Sequence, residues 1–192
     1  MIGKHTIGSL LTIGLIVFGL VALAAPGMAN EVNKGEIPSD HLNPSCKALP
    51  WGAVVWDLEE AVASLKANEK VIWIDTRPDS FFQKGSVRSA VLLPYDKSGA
   101  ATNALTPEKL EALVAAQDLT RETAKIAFFC QGPKCHRSYN AAYMAASAWG
   151  YTPQNIIWFR AGYPNLFKDV KADAKLRRRA KAYLSDNGLS QL

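Results

Sequence analysis

Apolar positions fall into two spacings along most of the chain. Leu58, Val62 and Leu65 recur at helical spacing behind Asp57, and Glu60 lies three residues after that aspartate as in a capping box. Val71 to Ile74 is a short continuous apolar run that stops at Asp75, the pattern of a strand buried on both faces. Asp79 to Gln83 reads as one helical turn closed by Gly85, and Ala90 to Leu93 as a second strand stopped by Pro94. Thr106-Pro107 marks a helix start, with Leu110 and Leu113 on its apolar face. Lys125 to Phe129 is a third strand that runs straight into Cys130. Ser138 is placed to cap a helix reaching about Trp149, with Gly150 at its end. Ile156 to Phe159 is a fourth strand, and the chain is helical again from Val170, with Leu176, Ala180, Tyr183 and Leu184 on one face. Apolar strands that alternate with amphipathic helices predict an α/β domain, a mainly parallel sheet with helices on both faces.

The flanks read differently. Lys4 and His5 precede a charge-free apolar run over residues 7–25, followed by the small-residue patterns Ala22-Leu23-Ala24 and Gly27-Met28-Ala29. This is the layout of a secretory signal peptide. The run is also nearly long enough to span a bilayer core, so an uncleaved membrane anchor competes with it. Both readings place the domain outside the cytoplasm, in the periplasm or beyond, free or tethered to the inner membrane. The expected organisation is signal or anchor at 1–29, an extended arm at 30–50, the domain at 51–169 and a basic helix at 170–192.

Composition adds little to this picture. Of 192 residues, 48% are hydrophobic, enough for a core, and the formal net charge is +5. Much of that charge sits in Lys175 to Lys181, which reads as a solvated helix face, with an acidic partner or anionic lipid as the alternative. No nucleic-acid motif is present. Trp51, Trp56, Trp73, Trp149 and Trp158 read as core or rim residues. The three cysteines, Cys46, Cys130 and Cys135, matter more: an odd number in an exported protein leaves one thiol without an internal partner.

The chemistry concentrates in Phe129-Cys130-Gln131-Gly132-Pro133-Lys134-Cys135-His136-Arg137-Ser138. Ligands of parallel sheets bind beyond the carboxyl ends of strands, and Cys130 occupies such a position. The thiolate is the reactive form of cysteine. A following helix N-terminus, the cations Lys134 and Arg137, and a loop loosened by Gly132 would all favour it and would bind an oxyanion beside it. Taken alone, a cysteine at a strand end is often a small buried hydrophobe; the loop and helix together argue for reactivity. Gln131, Gly132, Lys134, His136 and Ser138 are the candidate substrate-binding positions. His136 is the one histidine near this chemistry, a proton donor or a solvated loop residue.

These motifs resemble the rhodanese-like domain family. Val71-Ile-Trp-Ile-Asp75-Thr-Arg77-Pro, Phe82, Gly85-Ser-Val and Ala90-Val-Leu-Leu-Pro94 are similar to its first strand, Asp-x-Arg and following turn. Lys125-Ile-Ala-Phe-Phe-Cys130, Arg137-Ser138, Ala141-Ala142, Trp149-Gly150-Tyr151 and Ile156-Ile-Trp-Phe-Arg-Ala-Gly162-Tyr163 resemble its active-site loop and closing strand. The resemblance runs from about Asp57 to Phe167. It implies a sulfurtransferase that moves sulfane sulfur from a small anionic donor such as thiosulfate to a thiol acceptor through a persulfide on Cys130. Arg137 and the loop amides would stabilise anions, and no metal or organic cofactor would be needed. Asp75 and Arg77 are expected in structural support.

One feature departs from the family pattern. Six residues separate Cys130 from Arg137, a longer loop than usual, and one of them is Cys135. A wider cradle admits a larger substrate. Cys135 is positioned to attack a persulfide or sulfenate on Cys130 and form a disulfide, as in cysteine-pair variants beside periplasmic oxidation pathways. Two alternatives therefore stand beside the transferase: a periplasmic thiol–disulfide protein using Cys130 and Cys135, and a non-catalytic sulfur carrier for a periplasmic partner. A phosphatase or arsenate reductase is more distant. Cys46 is expected to pair with a partner or Cys135, or to be a free thiol.

Overall fold

The computed structural model describes residues 30–192. The signal or anchor reading of residues 7–25 lies outside them. Five parallel strands form one sheet in the order β1-β5-β4-β2-β3, with β1 at Val54–Trp56, β2 at Ile72–Asp75, β3 at Val91–Leu92, β4 at Ile126–Phe129 and β5 at Ile156–Phe159. The helices are α1 (Leu58–Ala67), α2 (Asp79–Phe82), α3 (Pro107–Ala115), α4 (His136–Ser147), α5 (Gly162–Ala172), α6 (Ala174–Arg177) and α7 (Asp186–Leu189). The start signals act as their chemistry predicts: the Glu60 carboxylate accepts the Asp57 N–H at 2.9 Å, and the Thr106 hydroxyl oxygen accepts the Lys109 N–H ahead of Pro107.

Every residue of β2, β4 and β5 is buried, which explains why these strands read as continuous apolar runs. Successive side chains alternate between two cores. Ile126, Phe128, Ile156 and Trp158 pack under α3 and α4, with Leu110, Val114, Tyr139 and Ala142. Ala127, Phe129, Ile157 and Phe159 pack under α1 and α5, with Leu65, Tyr163, Leu166 and Val170. The three-residue edge strand β1 has no counterpart in the sequence reading. Its identity as a strand depends on pairing with β5.

The segment 30–50 is not an extended arm. It is a chain of turns folded back on the domain, and Ile37, His41 and Leu49 are each at most 5% exposed. Ile37 and Leu49 join the core under α4, and Val32, Leu42 and Cys46 pack against it. Arg160, at the end of β5, donates to the carbonyls of His41 (2.8 Å) and Asn43 (2.7 Å) and pairs with Asp57. The C-terminal segment is likewise not one basic helix. Asp173 leaves helical backbone geometry and its carboxylate accepts the N–H groups of Lys175 and Leu176, which ends α5 and caps α6. Ala180, Tyr183 and Leu184 still reach the core, while Lys175 and Arg177 to Arg179 stay exposed. Among the described residues, no helix is long and apolar enough to cross a membrane.

Asp75 and Arg77 form a buried knot at the carboxyl end of β2. The Arg77 guanidinium donates to both Asp75 oxygens, at 2.9 and 2.6 Å, and to the Gly85 carbonyl at 2.8 Å, while the Ser86 hydroxyl donates to Asp75 at 2.6 Å. Removing one partner of such a pair leaves a buried charge uncompensated. Asp75→Ala is expected to cost about 3–5 kcal/mol in urea unfolding, and the double change Asp75→Leu with Arg77→Met to cost clearly less.

Candidate active site

Strand β4 delivers Cys130 to the carboxyl edge of the sheet, where the residue is 1% exposed. The Phe129 carbonyl before it accepts both the Thr76 N–H (3.1 Å) and the Thr76 hydroxyl (2.9 Å), so the neighbouring strand end holds it. The Cys130 carbonyl accepts the Tyr163 N–H at 3.1 Å. Gly162 closes the arrangement at φ +71°: a Cβ there would meet the Cys130 carbonyl oxygen at 2.5 Å and the Gly132 nitrogen at 2.7 Å. Both atoms are backbone, so no side chain fits.

Cys130 and Cys135 are joined by a disulfide, with their Cα atoms 6.2 Å apart. The loop between them turns through Gly132 (φ +149°), and the Cys135 N–H donates to the Gly132 carbonyl. Cys135, not Ser138, is the residue that precedes α4, so the helix starts three residues earlier than its sequence signal. The difference is physical. Ser138 is 1% exposed and its hydroxyl accepts the Trp158 indole N–H at 3.2 Å, so it anchors the helix to the sheet and does not cap it. Cys135 is the cap residue of this three-turn helix, and the disulfide holds Cys130 just ahead of the helix N-terminus, where unpaired N–H groups and the helix dipole favour a thiolate in the reduced pair.

His136 is not a solvated loop residue. It is 8% exposed, its Nε2 is hydrogen-bonded to the Asp96 carboxylate, and its Nδ1 is buried with no partner. Arg137 turns the same way, donating to the Tyr95 carbonyl at 3.1 Å and to Asp96 at 3.3 Å. Burial pushes the Asp96 carboxyl up, but the hydrogen bond with His136 and the charge of Arg137 outweigh it and hold it below its ordinary value of 3.8. The Gln131 side-chain oxygen is buried without a partner, and Lys134 is exposed on the loop. Cys46 is a half-buried free thiol hydrogen-bonded to the Ala48 carbonyl, not a partner of Cys135.

A cavity of ≈ 590 Å³ opens over the disulfide. Its walls include Gln131, Lys134 and Arg137 from the loop and α4, Phe81 from α2, and Lys34 from the N-terminal segment. Ser138 is not among its lining residues. Asp96 and Lys34 are the site residues that sequence reasoning missed. Asp96 follows a strand in a stretch with no motif, and Lys34 sits in a segment without periodicity, so neither carried a signal. Among the described residues, no cluster of three His, Cys, Asp or Glu side chains is grouped to hold a metal ion.

The fold and loop define an α/β domain in which a strand-end cysteine sits in a loop just ahead of a helix N-terminus. The family model described as the rhodanese-like domain matches residues 58–169, more than half of the chain, and the protein belongs to that family. No curated protein matches it. Among solved structures, it is similar to an As–Sb reductase from Leishmania major, at 18% identity over 62% of this chain and 80% of that one, with a TM-score of 0.46. It is also similar to a rhodanese-like domain from Anabaena, at 16% identity over 60% of this chain and 73% of that one, with a TM-score of 0.39.

Two outcomes follow from the geometry. Gly162→Ala should cost at least about 2 kcal/mol, because the new methyl collides with two backbone atoms at a positive φ. A lowered midpoint in chemical denaturation checks this. Asp96 has a folded-state pKa below its unfolded value, so its stabilisation is complete above about pH 4 and is lost as pH falls through the folded pKa. The stability gap between wild type and Asp96→Asn should therefore hold steady, at about 1 kcal/mol, from neutral pH down to about 4 and shrink below it in thermal scans.

Proposed function

We propose that this protein is an exported sulfur-transfer enzyme in which Cys130 accepts sulfane sulfur as a persulfide. The observation that carries the reading is the placement of Cys130 at the end of β4, in a loop wrapped before the N-terminus of α4 and open to a cavity. In the reduced protein, the helix terminus and the cationic surroundings stabilise the Cys130 thiolate. The thiolate attacks the outer sulfur of a donor such as thiosulfate. The donor S–S bond breaks, sulfite leaves with the electron pair, and Cys130 carries the extra sulfur. The loop amides from Gln131 onward and the charge of Lys134 stabilise the developing anion, while Arg137, paired with Asp96, contributes from the cavity wall. An acceptor thiolate then takes the outer sulfur and restores the Cys130 thiolate.

Cys135 adds a second exit from the loaded state. Its thiolate attacks the inner sulfur of the persulfide, expels hydrosulfide and closes the Cys130–Cys135 disulfide. The outer sulfur is reduced to sulfide as the two cysteines are oxidised. A dithiol donor must then reopen the site before another turnover. The disulfide itself also favours a second reading, a thiol–disulfide exchange protein working on the same pair without sulfane sulfur. The signal or anchor layout of residues 1–29 supports a periplasmic or otherwise exported location for either activity.

The test is mass spectrometry after loading. Reduced protein mixed with thiosulfate should gain about 32 Da, one sulfur atom held by the covalent nucleophile. Cys130→Ser should abolish the gain. Cys135→Ser should keep it and make it longer-lived, since the internal exit is gone. No adduct with thiosulfate, thiosulfonate or persulfide donors would rule out sulfur transfer. Dithiol oxidation that then persists and requires both cysteines would select the second reading.

A further inference from the structure

The family match begins at residue 58, yet the cavity over Cys130 has a wall that comes from outside it. Lys34 reaches the cavity on a turn closed by the Glu36 N–H donating to the Asn33 carbonyl, with Gly35 at φ +84°. This turn is held from both ends. Before it, the Tyr95 hydroxyl and the Ser98 N–H donate to the Glu31 carboxylate at 2.6 and 2.9 Å. The Val32 N–H donates to the Asn140 side-chain oxygen, and the Asn140 amide nitrogen donates back to the Val32 carbonyl, both at 2.9 Å. Asn140 is fully buried on α4 and also donates to the Asp96 carbonyl. After the turn, Ile37 is sunk in the core. The backbone that carries Lys34 is thus held close to α4 at the rim of the cavity.

The cavity has a definite chemical character. Lys34 and Lys134 are exposed on it, and among the described residues neither is paired with a carboxylate. No Asp or Glu lines it. Arg137, the third cation, is already committed to Asp96. The same lining carries apolar surface: Pro78, Pro133 and Phe81, one of the two large hydrophobic residues exposed on the protein's described surface. Thiosulfate would fill only roughly 150 Å³ if each of its heavy atoms takes about one water's share of volume. A cavity of ≈ 590 Å³ falls in the range that encloses organic ligands.

We propose that Lys34 is a specificity-determining residue, and that the site takes an organic sulfur compound with an apolar body and an anionic group distal to its reactive sulfur. The reactive end lies at Cys130, the body against Phe81 and Pro133, and the distal anion at Lys34. The sulfur step rests on the reading of Cys130 as the sulfur acceptor. For an aryl thiosulfonate, the Cys130 thiolate bonds to the outer sulfur, the S–S bond breaks, and the arylsulfinate leaves with the electron pair. The charge recognition does not depend on that step.

Two measurements on the reduced full-length protein separate the claims. The first is binding without turnover: titration calorimetry with 4-carboxybenzenesulfonate and with benzenesulfonate, which differ by one carboxylate. Wild type should favour the carboxylated probe. Lys34→Glu should cut that preference about tenfold or more, Lys34→Arg should retain it, and the preference should fade with added salt as an exposed charge contact requires. A preference that is absent in wild type, or unchanged in Lys34→Glu, overturns the proposal. The second compares persulfide formation from 4-carboxybenzenethiosulfonate and benzenethiosulfonate. The ratio of their KM values should shift with Lys34→Glu in the same sense, and a ratio that does not shift also counts against it. If neither donor loads Cys130 while the Lys34-dependent binding persists, sulfur transfer fails and the recognition of a distal anion stands.

Discussion

The backbone of Gly162 lies against the Cys130 carbonyl and the Gly132 amide with no space for a side chain between them. That contact joins the end of β5 to the end of β4 and fixes where the active-site loop can begin. The hydrogen bond from the Tyr163 N–H to the Cys130 carbonyl lies one residue on and holds the same junction. With its carbonyl and the preceding one both occupied, Cys130 has little freedom to move away from the helix terminus that favours its thiolate. The position of Cys130 is therefore a property of how two parallel strands end side by side.

Polar residues buried around this junction each tie separate parts of the chain. Asp75, Arg77 and Ser86 bind the ends of β2 and the turn before β3, and the Ser185 hydroxyl accepts the Ser86 N–H, which brings in the C-terminal segment. Arg160 ties the N-terminal turns to β5 and Asp57. Asn140 and Asp96 tie the same turns to α4 and the loop after β3. Buried polar groups carry a large cost when unpaired, so each of these residues specifies one arrangement of the segments it joins. Residues 30–57 are thereby part of the domain, and Lys34 among them is part of the site.

The candidate site was legible in part. Cys130, Gln131, Gly132, Lys134 and Arg137 stand together in the chain and all reach the cavity, because a loop at a strand end keeps neighbours in sequence near one another in space. Ser138 reads as a cap by residue type, yet its hydroxyl serves Trp158, and nothing local distinguishes the two roles. His136 reads as exposed by its position in a polar loop, yet Asp96, forty residues earlier, buries it in a hydrogen bond. Residues 30–50 read as an arm because turn-forming residues outnumber apolar ones, while Ile37 and Leu49 in the core, with the hydrogen bonds of Arg160 and Asn140, dock it.

From the sequence alone came the parallel α/β architecture, the three buried strands, the helix starts at Asp57 and Thr106, and the strand-end cysteine. All rest on local periodicity, capping chemistry or short-range order, which a linear pattern carries. Only the tertiary structure decided the edge strand β1, the disulfide between Cys130 and Cys135, the turn of His136 and Arg137 toward Asp96, and the placement of Lys34 over the cavity. Those depend on contacts between segments far apart in the chain, whose residues become neighbours once the sheet has formed. The strand-end cysteine was therefore visible early, while its partner and the chemical character of its surroundings were set by packing.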